Sequence, residues 1–372
     1  MSENDLFTPL AYRIAFASLQ GMGVDLARKL LDVVGSEQRF FSMGEKELRA
    51  MTRGRSKIYR DDYRRECLQR AVQEEVFVRE HGIAATYFAD EAYPHRLLEA
   101  PDAPAMLYSL GKCDLESAHV ISVVGTRHAT QYGVRFCETL ISDLAQQLPD
   151  LVVVSGLAYG IDIAAHRAAL KHRIPTVAVL PRGLNRIYPA MHRPDAVAIA
   201  RQGGMLLTDY TSQDTVQKSN FLARNRIVAA LSDCTVVVES AGAGGALVTA
   251  SLAMSYNRDV MAVPGRCGDE FSAGCNKLIA TNKAALITGA DDLMTAMRWE
   301  PQGAQPQQLE LFPALTNEEQ AVVDVIADRG EIHLNTLAEA LQVPVYKLMS
   351  ILVELDCKNV IATLPGCRYT LI

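Results

Sequence analysis

The stretch His119-Val-Ile-Ser-Val-Val-Gly-Thr-Arg127 decides how the chain is read. Its apolar, β-branched run predicts a strand, Gly125 a turn, and Val134–Leu148 beyond it a helix. The figure returns at Leu151-Val-Val-Val-Ser-Gly156, which leads through Tyr159-Gly160-Ile-Asp162 into a predicted helix, Ile161–His172. Further β-rich runs are Thr176–Leu180, Met205–Thr208, Cys234–Glu239 and Val260–Val263, with amphipathic stretches at Asn220–Leu231 and Ala246–Tyr256. Continuous apolar strands alternating with helices predict an α/β fold with a parallel, doubly wound sheet. Right-handed crossovers would then place the strand C-termini, and the loops after them, on one edge where ligands bind.

On the N-terminal side the pattern turns helical, with periodic stretches at Tyr12–Ser18, Val24–Val34, Glu45–Met51 and Arg60–His81. Residues 82–117, with Pro94, Pro101 and Pro104, are expected to form an irregular connector. On the other side Trp299-Glu-Pro-Gln-Gly-Ala-Gln-Pro-Gln-Gln308 reads as a linker. Beyond it come helices at Asn317–Arg329, Leu334–Leu341 and Val345–Lys358. Two β segments, Val360–Thr363 and Arg368–Leu371, flank Pro365-Gly366, so the tail predicts a winged helix.

The 372 residues suffice for two or three domains, and 22% charged residues exclude a disordered chain. No apolar run is long enough to span a bilayer, and Met1 to Asp5 does not begin like a signal peptide. The eight cysteines never fall in C-x-x-C and read as reduced thiols. These features predict a soluble, cytoplasmic chain without membrane insertion. A net charge of −6 argues against a nonspecific polycation; after residue 300, nine acidic residues face four basic ones.

Three strands end in glycine-bearing loops: Gly125-Thr126-Arg127, Ser155-Gly156 to Gly160, and Gly242-Ala-Gly244-Gly245. Glycine lets the backbone approach an anion, and the helix N-terminus that follows offers unpaired N–H groups. Neither G-x-x-x-x-G-K-S/T nor, after the first strand, G-x-G-x-x-G is present, which disfavours an NTPase or an ordinary dinucleotide enzyme. Arg127 could take a phosphate or a neighbouring carboxylate. In Lys218-Ser-Asn-Phe221-Leu-Ala-Arg224-Asn225-Arg226, Phe221 could stack on a base while Lys218 and Arg224 track the backbone; the other reading of Phe221 is a core aromatic.

Asp162 and His166 have acid–base spacing, but a helix-stabilising aspartate and a packed histidine are the preferred reading. Glu239 is expected to hold the third glycine loop. No nucleophile motif or metal-ligand cluster stands out. Leu19-Gln-Gly21-Met-Gly23-Val24 resembles a helix–hairpin–helix turn, read either as a phosphate contact or as a plain helix break. The basic run from Lys46 to Arg65 is interrupted by acids and reads as a solvated face. Val345–Lys358 offers only Lys347 and Lys358, and the wing only Arg368. A DNA reader needs more cations, so the tail reads as a protein-interaction module.

Val124-Gly-Thr-Arg127 with Tyr132-Gly133, Ser155-Gly-Leu-Ala-Tyr-Gly-Ile-Asp162 with Ala165-His166, and Tyr188-Pro189 resemble the DNA-processing protein A (DprA, or Smf) family. So do Phe221-x-x-Arg-Asn-Arg226, Gly244-Gly-Ala-Leu-Val-Thr-Ala250 and Ala262-Val-Pro-Gly265. The resemblance implies a helical, sterile-alpha-motif-like domain over 1–85, an extended Rossmann-like core over 86–298, a linker at 299–312 and a winged helix over 313–372. It implies a homodimer, with no catalytic turnover and no cofactor or metal, that binds single-stranded DNA and loads RecA on incoming strands in natural transformation. Gly125, Thr126 and Arg127 would form the phosphate pocket with Lys218 as second cation, Phe221 would stack on a base, and Gly244 and Gly245 would line the groove. Gly156, Arg224 and Asn225 complete the candidate set, and Leu278 and Ile279 mark the implied dimer surface. Departures from the family pattern are Pro181 for Gly, Leu222 for Pro, Ala190 for a basic residue and His192 for Asn. The rival reading is a phosphoribohydrolase-like nucleotide enzyme on a related fold. Its motif, P-G-G-x-G-T-x-x-E, needs a carboxylate where this chain has Leu252. A transcription factor acting through the winged helix is the third reading, and the acidic tail argues against it.

Overall fold

Valine-rich strands without a polar side need cover on both faces, and a computed structural model shows how they obtain it. It describes residues 7–301, 315–358 and 360–371, which leaves most of the predicted linker and Met1–Asp5 outside the described residues. The chain divides into two compact units, residues 1–302 and 303–372.

The first unit is built on a nine-stranded sheet. In chain order its strands are β1 (Ala84–Tyr87), β2 (Met106–Gly111), β3 (His119–Val124), β4 (Leu151–Ser155), β5 (Thr176–Val179), β6 (Met205–Thr208), β7 (Cys234–Val237), β8 (Asp259–Ala262) and β9 (Ala285–Leu286). They lie side by side as β1-β2-β6-β5-β4-β3-β7-β8-β9, parallel from β6 to β9. The chain winds from β3 through β4 and β5 to β6, then returns to the other side of β3 with β7. The strand order therefore reverses between β3 and β7, and the loops leaving these neighbours diverge to opposite faces and open a crevice.

Side chains of β3 alternate between two cores. Ile121 and Val123 meet Cys137, Leu140 and Ile141 of the helix Gln131–Gln147. Val120 and Val124 join the core that holds Ile227 and Val228 of the helix Lys218–Ala230 and Ala250 and Ala253 of the helix Gly245–Ser255. That second core continues into the N-terminal helices through Ile14, Phe16 and Phe40.

The expected connector at 82–117 is not irregular throughout. β1 and β2 pair antiparallel, and β2 adds antiparallel to β6. The prolines that suggested a loop lie between these strands rather than in them, where no ladder N–H is lost. The N-terminal helices are Pro9–Ala17, Val24–Val34, Glu37–Ser42, Glu45–Thr52 and Asp61–Glu80. Glu37–Ser42 has too few turns to show periodicity, yet Ser36 caps it and Phe40 packs edge-on against Phe16 at 5.2 Å.

The second unit has helices Asn317–Arg329, Leu334–Leu341 and Val345–Cys357 and a sheet of β10 (Ile332–His333), β11 (Ile361–Leu364) and β12 (Arg368–Leu371) in the order β10-β12-β11. Thr316 and Glu319 close a capping box on its first helix, and Val322, Leu337, Leu348, Leu352 and Ile361 form its own core. This is a winged helix with one short strand more than the sequence suggested. Among the described residues no single helix is long and apolar enough to cross a membrane.

Candidate nucleic-acid interface

At the switch point between β3 and β7 lies a cavity of about 540 Å³. Its wall includes Gly125, Thr126 and Arg127 from the loop after β3, and Lys218, Phe221, Arg224 and Asn225 from the helix that precedes β7. Gly244 and Gly245 close it from the loop after β7.

Glu239 ties the loops together. Its carboxylate accepts from the Thr130 N–H at 2.9 Å and the Thr130 hydroxyl at 2.5 Å, and its backbone carbonyl accepts from the Thr126 N–H at 2.7 Å. Glu239 was expected to hold the third glycine loop, at whose start it stands; its bonds instead fasten the loop after β3. Gly160, at φ 74°, is fixed by a second constraint: a Cβ there would stand 2.1 Å from the Thr126 carbonyl oxygen.

The glycines divide into two kinds. Around Gly156 the space is filled, because a Cβ would fall 2.3 Å from Arg224 Nη1. At Gly244 and Gly245 it is open, the nearest atoms to such a Cβ being 3.6 and 3.8 Å away. Gly245 begins an eleven-residue helix with no side-chain cap, so its first N–H groups face the cavity without a side-chain acceptor.

Arg127 and Lys218 are exposed, and among the described residues neither has a carboxylate partner. The Arg127 guanidinium lies over the Phe221 ring, 5.6 Å from its centroid. Phe221 is half-buried rather than a core residue, and Tyr188 packs edge-on against it at 5.3 Å. An aromatic face and two uncommitted cations therefore share one cavity with an open helix N-terminus. That donor set suits phosphate and a flat base.

Residues 84–298 match the family model described as DNA recombination-mediator protein A, and residues 300–367 match the DprA winged helix domain. The chain belongs to the DNA-processing protein A family. Protein Smf of Escherichia coli (strain K12) is a DprA-family relative 34% identical over 295 residues, 74% of this chain and 74% of its own length. The X-ray structure of DNA processing protein A from Streptococcus pneumoniae superposes with a TM-score of 0.64 at 29% identity, over 78% of this chain and 98% of that one. The Helicobacter pylori DprA structure, whose subject is a single-stranded DNA binding mode, gives 0.52 at 29% identity, over 58% and 95%.

Other candidates occupy places the residue types did not foretell. Arg224, expected to track a phosphate backbone, is 5% exposed and donates through Nη1 to the carbonyls of Gly156 (2.6 Å) and Val179. Its charge faces the cavity wall while its hydrogen bonds hold the ends of β4 and β5. Gly156 makes room for that guanidinium and does not itself line the cavity. Asn225 donates to the Gly245 carbonyl at 3.3 Å and so braces the open loop. Leu278 is 8% exposed and packs in the chain's own core, so most of its surface is unavailable to a partner; Ile279 beside it is half-buried. Tyr188 lines the cavity and was not singled out as a contact, although its place before Pro189 in a quoted motif was the available signal.

Asp162 and His166 take the structural roles preferred for them. Asp162 Oδ2 accepts from the Ala158 N–H at 3.4 Å, and burial raises its pKa while the charge of Arg224 opposes the rise. His166 Nε2 accepts from the Leu157 N–H at 3.3 Å, and Nδ1 lies 2.7 Å from the Thr176 hydroxyl. Burial, helped by the Arg224 charge, pushes His166 down to about 3, so the ring is neutral at physiological pH. In the N-terminal turn the Val24 N–H is spent on the Ala103 carbonyl at 2.9 Å, and Arg49, Arg60 and Arg64 pair with Glu45, Asp62 and Asp61.

Proposed function

We propose that this chain binds single-stranded DNA in the β3–β7 cavity and acts as a recombination mediator. It loads RecA onto incoming strands during natural transformation, in the cytoplasm and without catalytic turnover. The observation that carries the reading is the Arg127–Phe221 pair. A cation with no carboxylate partner lies over a half-exposed ring, beside Lys218 and the uncapped helix start at Gly245. A phosphate would bridge Arg127, Lys218 and the helix N–H groups, while an unstacked base would lie on Phe221. Membership of a family with a relative described by its single-stranded DNA binding mode supports the assignment.

The winged helix serves as a protein-docking module. Three of its four cations are paired, Lys347 with Glu318, Lys358 with Glu319 and Arg368 with Glu331, which leaves Arg329 alone without a carboxylate among the described residues. The second helix of its helix–turn–helix exposes Tyr346, Met349 and Val353, at 79%, 47% and 58%. Phosphates need free cations, and here the surface offers apolar side chains. A homodimer forms through the β9 end of the sheet, where Ile279 and the exposed Leu286 lie.

The test is fluorescence anisotropy on labelled single-stranded and duplex oligonucleotides, with Arg127→Ala as control. Among the described residues the only carboxylate in the cavity wall is that of Asp162, and its oxygen already holds the Ala158 amide, which counts against the enzyme reading. Release of base from nucleoside monophosphates would favour it.

A further inference from the structure

The loop after β5, Pro181 to Ile187, bears two arginines outside the cavity. The loop itself is anchored: Asn185 Nδ2 donates to the Ser212 carbonyl at 2.8 Å, and a Cβ on Gly183 would stand 2.3 Å from the Thr211 carbonyl oxygen. It is therefore laid onto the loop after β6, on the same sheet edge as the cavity. From it project Arg182, half-buried, and Arg186, exposed.

Neither guanidinium has a hydrogen-bond or ion-pair partner among the described residues, and Arg182 Nε is buried with no acceptor. The acids of the adjoining segment are committed elsewhere. Glu74 accepts from Ser212, Asp214 pairs with Arg70 and accepts from the Thr211 N–H, and Asp209 pairs with Arg226. Burial, and then the like charge of Arg186, lowers the Arg182 pKa. Two close cations with no counter-charge repel one another in the free chain, and an anion placed between them removes that cost.

The route from the cavity is short. Tyr188, two residues past Arg186, is exposed, lines the cavity and contacts Phe221 edge-on. Phe221 and Tyr188 are thus in contact, and Arg186 stands two residues before Tyr188 on the same edge of the sheet.

We propose that Arg182 and Arg186 form a second phosphate subsite, which grips the backbone of a DNA strand as it leaves the Phe221 cavity across Tyr188. This inference rests on the single-stranded DNA reading of that cavity. The two arginines set the length of strand the protein engages, and they provide part of its salt dependence.

The test uses the full chain and labelled oligothymidylates of about 6 and about 20 nucleotides, within and beyond the reach of one site. Arg182→Gln/Arg186→Gln should bind the longer strand roughly tenfold more weakly. It should also lower the slope of log affinity against log salt by about 0.7 to 1.4, and leave the short strand unchanged. Arg182→Lys/Arg186→Lys, which keeps the charge and places least demand on the fold, should retain the wild-type slope. An unchanged slope and affinity for the longer strand, or an equal loss for both lengths, would overturn the proposal. Arg127→Ala, run in parallel, separates the two claims. If it weakens both lengths while the double variant weakens neither, only the second subsite fails. If wild type binds neither length, or Arg127→Ala changes nothing, the cavity reading fails and this subsite with it.

Discussion

The Arg127 guanidinium lies over the Phe221 ring, Cζ 5.6 Å from its centroid, and no carboxylate among the described residues competes for it. The pair couples a phosphate contact to a stacking surface. Phe221→Ala should cost about 1–3 kcal/mol of single-strand affinity, the scale of one stacked base. Arg127→Ala should weaken binding across sequences and lower the salt slope by about 0.7. Because the ring also holds the guanidinium, the double variant should lose less than the two single losses added. Titrations of all four proteins measure that coupling.

The two kinds of glycine separate folding from binding. Gly156→Ala would drive a Cβ into Arg224 Nη1 and dislodge its bonds to the Gly156 and Val179 carbonyls. It should destabilise the fold by roughly 1–3 kcal/mol, read as a drop in Tm. Gly244→Ala should leave Tm nearly unchanged, since the backbone there is extended and its surroundings are open. It should still weaken DNA binding, because the added methyl narrows the approach to the helix N-terminus.

His166 predicts an acid limb to stability. Its folded value, about 3, lies below the ordinary 6.5, so the unfolded chain binds the extra proton between those values. The contribution is complete above about pH 6.5 and is lost as pH falls toward 3, at about 1.4 kcal/mol per pH unit. Urea unfolding at several pH values checks this, and His166→Asn should flatten the slope by one proton's worth.

Much of the core was legible in the sequence. β3, β4 and β6 fall where their mainly apolar runs begin and end, because a strand covered on both faces admits a polar side chain only where it finds a partner, as Ser122 does in the Thr235 hydroxyl at 2.8 Å. β1 and β2 were not legible, since a short edge strand and its neighbour, separated by three prolines, read as one loop. The same limit applies to the site. Arg127 and Arg224 are alike as letters, and only the fold sends one to the surface and the other beneath the loop. Gly125 and Gly156 were read as room for an anion, but Ile161 and Arg224 already fill that room. Gly244 and Gly245 keep theirs. Phe221 could be placed neither in the core nor at the surface from its neighbours, because its exposure depends on Tyr188, far away in sequence.

The winged helix should be dispensable for DNA binding. Deleting residues 309–372 removes a unit with its own core and three of its four cations held in ion pairs, so single-strand affinity should change less than twofold, about 0.4 kcal/mol. Tyr346→Asp in the full chain should likewise leave it intact.

The most direct measurement is anisotropy with a single-stranded and a duplex oligonucleotide, for wild type and Arg127→Ala, at two salt concentrations. The account predicts strong preference for the single strand, weakened by salt and largely lost in the variant. Equal binding to duplex, or a variant indistinguishable from wild type, would contradict it.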